Sequence, residues 1–316
     1  MFQLLNDWTL GIHQILGSFP IIVQISKILS WLGIGYLYYL LSAYLILKKD
    51  PRGKLLWYYW TSAAILNAIL KYTFAQPRPY WIEPQIQAFE KSISFGMPSG
   101  HAQSACGILL MCLMYRLGWF WGVTWMLMIS LARVILGVHS LAQVLVGLGL
   151  GVGMVLMFQF KDSNRFSLFK NKWFQWTLLI VAFIYGVLAI HLGAQTIDQL
   201  SQTWVNAPLH MKDSFKISSL FVPFGFLSSF LLAQSHNRFL ARFDIPKVST
   251  LSKWENHWWF VCFELLTLFI CAWLFRLSFI FVFSKMAQFI PLESVFFKGF
   301  GDLSFCLIIG FYLGRK

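Results

Sequence analysis

The sequence predicts an all-α fold: a polytopic membrane bundle of about nine transmembrane helices, with the N-terminus outside and the C-terminus in the cytoplasm. Three observations carry that prediction. Hydrophobic residues make up 58% of the 316 positions and charged residues only 12%, with a mean hydropathy of +0.65. The apolar residues fall into separate runs close to the roughly 20 residues that cross a bilayer, where every backbone polar group must be paired within the chain. Basic residues concentrate in alternate loops between these runs.

Taken in order, residues 2–19 are broken by Asp7 and His13 and read as an interfacial helix lying on the membrane surface. They do not read as a signal peptide, because Asp7 precedes any basic residue. Spans follow at roughly 26–47, 55–73, 100–116, 118–133, 139–159, 173–192, 217–235, 258–283 and 297–314, the third and fourth being short. Residues 1–160 form the expected core, with the interfacial helix and five spans. Residues 161–316 form a C-terminal extension of four spans. The polar segments 193–216 and 236–257 are too short to build a core of their own.

The loops after spans one, three, five and seven, together with the C-terminal tail, hold fifteen of the 25 basic residues. The positive-inside rule places them in the cytoplasm. Loops 74–98, 134–138, 193–216 and 284–296 then share the opposite face. The formal charge of +13 is explained by this topology, since the clusters are short and form no recognition helix, so nucleic acid is excluded as a partner. Five cysteines lie in apolar runs without ligand spacing and read as core residues, and no metal site is expected. The chain has no Asn-x-Ser/Thr acceptor, which favours a bacterial inner-membrane protein with a periplasmic site over an endoplasmic-reticulum protein with a lumenal one.

Lys71, Arg78, His101, Arg133 and His139 all fall at outer ends of these spans, where charge is expensive and usually functional. Three fixed cations suit a phosphate dianion, with arginine forking to two oxygens and lysine acting as a compact charge. Pro98-Ser99-Gly100-His101 adds a helix start: Ser99 is expected to cap it, Gly100 to admit a ligand to the backbone, and the helix N-terminus to attract an anion. His101 on the first turn is placed to donate a proton. Gln143 lies one turn beyond His139, so its carbonyl is expected to hold one ring nitrogen and leave the other to attack phosphorus.

Lys71-x6-Arg78-Pro79, Pro98-Ser99-Gly100-His101 and Arg133-x5-His139 resemble the three signature motifs of the type 2 phosphatidic acid phosphatase superfamily, which includes the vanadium haloperoxidases. The resemblance implies that His139 is the nucleophile forming a phosphohistidine and His101 the general acid. It implies that Lys71, Arg78, Ser99, Gly100 and Arg133 bind the phosphate, with no cofactor or metal. Two positions depart from the pattern: Ala132 stands where the family usually has Ser, and Gln143 where it usually has Asp. Gln143, with Lys54-Leu55-Leu56-Trp57, Leu66-Asn67 and Gln76-Pro77-Arg78-Pro79-Tyr80-Trp81, is similar to the glucose-6-phosphatase branch. That likeness implies a sugar phosphate substrate. The wider family implies a lipid phosphate or polyprenyl pyrophosphate instead.

Against these stand a transporter and a catalytically retired phosphate binder. A transporter calls for broken helices at the midplane and internal repeats, neither of which the sequence shows. Gly147, Gly151 and Gly153 read as helix packing, and His13, His191, His210, His236 and His257 as surface or interface histidines. His210 lies on the site-bearing face and is a candidate to reach substrate. Tyr80, Trp81 and Trp204 read as an interfacial aromatic belt on which a sugar or head group has room to stack. Arg276 and Asp302 are expected to pair. The sequence leaves the oligomeric state open.

Overall fold

The computed structural model describes residues 2–159, 172–202, 204–206, 222–228, 231 and 309. Among these residues no strand occurs, as the lipid-solvent argument requires. The helices are α1 (Phe2–Gly17), α2 (Pro20–Leu32), α3 (Gly35–Leu47), α4 (Pro51–Phe74), α5 (Pro79–Ile82), α6 (Gly100–Met114), α7 (Trp119–Ile135), α8 (Leu141–Gln159) and α9 (Lys172–Ser201). Leu141–Gln159 and Trp176–Gly193 are long and apolar enough to cross a membrane, and α1 with α2, bent by 113°, passes the same test as a broken pair. The spans expected beyond residue 216, with His210, His236, His257, Arg276 and Asp302, lie outside the described residues apart from 222–228, 231 and 309.

The chain divides into two compact units, one of residues 1–38 and 63–216 and the other of residues 39–62 and 217–316. In the second, Tyr39, Trp57 and Phe226 form a mutual aromatic cluster with centroids 5.2 to 5.5 Å apart. The first unit holds every predicted site residue.

Its centre is α6, which packs on α7 and α8. Small residues make that approach possible, since close backbone contact is what joins helices where lipid removes the hydrophobic drive. A Cβ on Gly147 would stand 2.5 Å from the Ser99 carbonyl oxygen, one on Gly151 2.6 Å from Cys106 Sγ, and one on Gly122 2.5 Å from Leu109 Cα. Gly153 faces open space and does not belong to this seam.

The expected single span over 26–47 is two helices. Pro20 stands in the first turn of α2, where its missing N–H costs nothing, and the helix stops at Gly33. A Cβ at Gly33 would meet Ile129 Cγ2 at 2.9 Å and His101 Cδ2 at 3.2 Å. The break therefore lets the C-terminal end of α2 press against α6 and α7.

His13, expected at a surface or interface, is buried. Its Nδ1 bonds to the Ile135 carbonyl at 2.9 Å, and its Nε2 accepts from the Gln87 amide at 3.2 Å. On the same helix Thr9 Oγ1 accepts from the Leu141 amide at 2.9 Å, satisfying a free donor at the start of α8. Helix α1 is thus tied to both sides of the turn between α7 and α8.

Candidate active site

That turn begins where α7 ends. Gly137 has φ +71°, which side chains rarely adopt, and a Cβ there would approach the Gln87 carbonyl oxygen to 2.9 Å. The reversal leaves His139 outside both helices and buried. Ser140 Oγ then accepts from the Gln143 amide at 3.3 Å, so Ser140 caps α8.

Gln143 fixes the His139 ring. Its Nε2 donates to the Pro77 carbonyl at 2.7 Å, which turns Oε1 toward His139 Nδ1 at 3.2 Å and the Ser140 amide at 3.3 Å. Arg78 Nη1 stands 3.3 Å from His139 Nε2. An arginine only donates, so Nε2 carries the lone pair and Nδ1 the proton. Burial, then the charges of Arg78, Arg133 and Lys71 and the nearby His101, holds the imidazole well below the usual histidine range. The ring is neutral at pH 7.

Arg78 is the hub of the loop between α5 and α6. Nε donates to the Ser94 carbonyl at 2.6 Å, Nη1 to the Val138 carbonyl at 2.8 Å, and Nη2 to Ser94 Oγ at 2.9 Å and the Phe95 carbonyl at 3.5 Å. With His139 Nε2 as the fifth acceptor, all five N–H groups are engaged. Burial, then Arg133, lowers its pKa to about 9, which leaves a cation at neutral pH. Lys71, at the end of α4, donates to the same Phe95 carbonyl at 2.6 Å. Both cations are therefore pinned by backbone oxygens of one loop.

Ser99 stands at the start of α6, but its hydroxyl makes no capping bond, contrary to expectation. Its own amide is taken by the Gln143 carbonyl at 3.0 Å, and Oγ is buried with no partner. Gly100 packs closely against Asn67, whose Oδ1 would stand 3.1 Å from a Cβ there. Asn67 Nδ2 in turn donates to Gln103 Oε1 at 2.9 Å and the Pro98 carbonyl at 3.3 Å, holding the start of α6 from behind. The His101 ring lies against the C-terminal end of α2, where a Cβ at Gly33 would stand 3.2 Å from its Cδ2.

Gly96 closes the loop under His139. Its amide donates to the Gln76 carbonyl at 2.8 Å, and a Cβ on it would fall inside the Gln143 carboxamide. Gln143 is anchored on both sides and cannot yield cheaply. Gly96→Ala is expected to cost about 1–3 kcal/mol, as overpacking does, and to lower activity with it. Thermal unfolding and phosphate release measured on one preparation check both.

The aromatic residues differ from the expected belt. Trp81 is fully buried, stacked on Trp204 with centroids 5.8 Å apart, and set edge-on to Phe95. It belongs to the core and offers no face to a ligand. Tyr80 uses its hydroxyl on Ser92, donating to the carbonyl at 2.8 Å and accepting from the amide at 3.0 Å. Both residues shape the loop that holds Arg78.

The structure thus brings Lys71, Arg78, Ser99, Gly100, His101, Arg133, His139 and Gln143 into one cluster. Sequence reasoning missed the acceptors on Ser94 and Phe95, which are backbone groups and leave no trace in side-chain identity. It also missed Gln103, Ser30 and Glu90, and gave Asn67 only as part of a resemblance, with no role. Glu90 had a signal: a carboxylate in the loop that follows Lys71 and Arg78 is a natural counter-ion.

The region that carries these residues, 53–166, matches the family model of the PAP2 superfamily. The chain is also 30% identical over 128 residues to an undecaprenyl-diphosphatase of Sulfolobus acidocaldarius. That match covers 39% of this chain and 62% of the relative, so the likeness spans less than two thirds of the relative's length. No solved structure matches the chain.

Proposed function

We propose that the chain is an integral membrane phosphohydrolase, with an outward-facing site, that works through a covalent phosphohistidine. The observation that carries this reading is His139: buried, neutral, with Nδ1 on Gln143 and the Nε2 lone pair directed at a guanidinium in a nest of three cations. Nε2 attacks phosphorus, the bond from phosphorus to the leaving oxygen breaks, and His101 gives that oxygen its proton. Lys71, Arg78 and Arg133, with the unpartnered Ser99 hydroxyl and the start of α6, balance charge on the phosphoryl oxygens. Water then cleaves the Nε2–P bond and releases inorganic phosphate. The cationic charge comes from side chains, so the reaction is read as metal-independent.

For the substrate we favour a phosphate monoester of the sugar phosphate kind, on the glucose-6-phosphatase-like placing of Gln143 beside His139. A polyprenyl diphosphate or other lipid phosphate is the second reading, supported by the name of the Sulfolobus relative. Phosphate release from a panel of sugar phosphates, phosphatidate and a polyprenyl diphosphate, with a His139→Ala control, decides between them. Release from none of the panel would sink the hydrolase reading itself.

The pH profile has a definite sign. His139 must be unprotonated to attack, and its surroundings hold its pKa below the ordinary value of about 6.5. The acid limb of log kcat/KM, which reports the free enzyme, is expected to fall below pH 6.5. An acid limb above pH 7 would contradict the neutral-ring assignment.

A further inference from the structure

Arg133 is buried at the end of α7, yet it is not held as Arg78 is. Its Nη1 donates to Glu90 Oε2 at 2.7 Å and also to Ser30 Oγ, while Ser30 Oγ donates to the same Glu90 oxygen at 3.0 Å. These three groups form a closed triangle from α2, the loop before α6 and α7. On the other edge of the guanidinium, Nε is buried and has no partner. A buried N–H without an acceptor costs free energy unless something arrives to accept it.

Resting on the phosphohydrolase reading, we propose that Glu90, with Ser30, is a positioning residue: it grips one edge of Arg133 so that the opposite, Nε-bearing edge is presented to the phosphoryl oxygens. The division of labour follows from guanidinium geometry. The group is planar, so fixing Nη1 from two directions fixes the direction in which Nε points. Glu90 is about one-third exposed while Arg133 is buried, so the carboxylate keeps part of its hydration as it anchors the cation. Ser30 also lies beside the proposed acid, since a Cβ at Gly33 would stand 3.3 Å from the Ser30 carbonyl oxygen and 3.2 Å from His101 Cδ2. The last turn of α2 therefore borders both the proposed acid and one phosphate ligand.

Charge and geometry make opposite predictions here, which renders the idea testable. As a bare negative charge near a dianion site, Glu90 opposes substrate binding, and its removal would help. As an anchor, its removal disorders Arg133 and hurts. Glu90→Gln keeps a carbonyl acceptor for Nη1, whereas Glu90→Ala keeps none.

The experiment is a double-mutant cycle on full-length protein, read by kcat/KM on the best substrate and by the inhibition constant of orthovanadate. Glu90→Ala is expected to lower kcat/KM about 30-fold and weaken orthovanadate about as much, with Glu90→Gln within about 3-fold of the unmodified protein. On an Arg133→Ala background, Glu90→Ala is expected to cost less than about 3-fold more. Equal losses on both backgrounds would show that Glu90 acts independently of Arg133, and a Glu90→Gln as damaged as Glu90→Ala would show that an acceptor is not what matters. Either result overturns the proposal. If Glu90→Ala does not fold, Ser30→Ala replaces it in the cycle and is held to the same standard. Orthovanadate binding that shows the coupling without hydrolysis of any substrate sinks the phosphohydrolase reading alone. Hydrolysis without coupling sinks this proposal alone.

Discussion

Replacing His139 with alanine is expected to lower phosphate release by about six orders of magnitude, the size of loss seen when a covalent nucleophile is removed. The chemistry has one plausible attacking atom in the cluster, the Nε2 lone pair of a ring already set by Gln143. Alanine removes it and leaves the bonds of the Ser140 and Gln143 backbone to α8 and α6 in place. Folding should survive, as thermal unfolding will show, so the loss is chemical. Rapid quenching with a substrate labelled on phosphorus provides the direct readout: an alkali-stable, acid-labile label on the unmodified protein and none on His139→Ala. Activity equal to the unmodified protein would refute the assignment of the nucleophile.

Arg78→Lys is expected to be nearly as damaging, and for a different reason. Lysine preserves the charge, so a purely electrostatic role would tolerate it. The five-point network does not: a lysine has three donors and no fork, and the Ser94 and Val138 carbonyls and Ser94 Oγ lie in the directions of a fork it cannot reproduce. Each buried carbonyl left unpaired costs about 1–3 kcal/mol, so a loss of roughly 3–5 kcal/mol in stability is expected with the loss of activity. Denaturant unfolding of both proteins, followed by phosphate release from the folded fraction, separates the two effects. Near-normal stability with lost turnover would mean that Arg78 serves the phosphate alone.

Much of this arrangement is legible in the linear chain. Motif spacing locates the cations and histidines because each motif is local: Arg78 stands before Pro79, Ser99 and Gly100 start a helix, and Gln143 is one turn from His139. Helix spacing places Gln143 beside its partner without any tertiary information. The glycine seam on α8 is legible too, though of Gly147, Gly151 and Gly153 only the first two face a neighbour, because that depends on helix rotation.

What the chain cannot announce is which acceptor each donor finds. Arg78 reads as a phosphate ligand, and the structure shows it also to be the post around which the loop from Ser92 to Phe95 is folded. His13 and Thr9, more than 120 residues from the turn they secure, carry no local signal of that task. Trp81 reads as part of an interfacial aromatic belt and is fully buried, stacked on Trp204.

By itself, the sequence determined the helical class, through composition and the demand that backbone polar groups in lipid be paired within the chain. It also determined the set of groups with phosphate chemistry, because their types and spacing are covalent facts. Tertiary structure alone decided their states. Burial and neighbouring cations make His139 neutral, opposing backbone oxygens occupy Arg78 and Lys71, and the grip of Glu90 and Ser30 leaves one edge of Arg133 unpaired. Those outcomes depend on distances between segments far apart in the chain, and electrostatics and hydrogen bonding act through distance, not through sequence order.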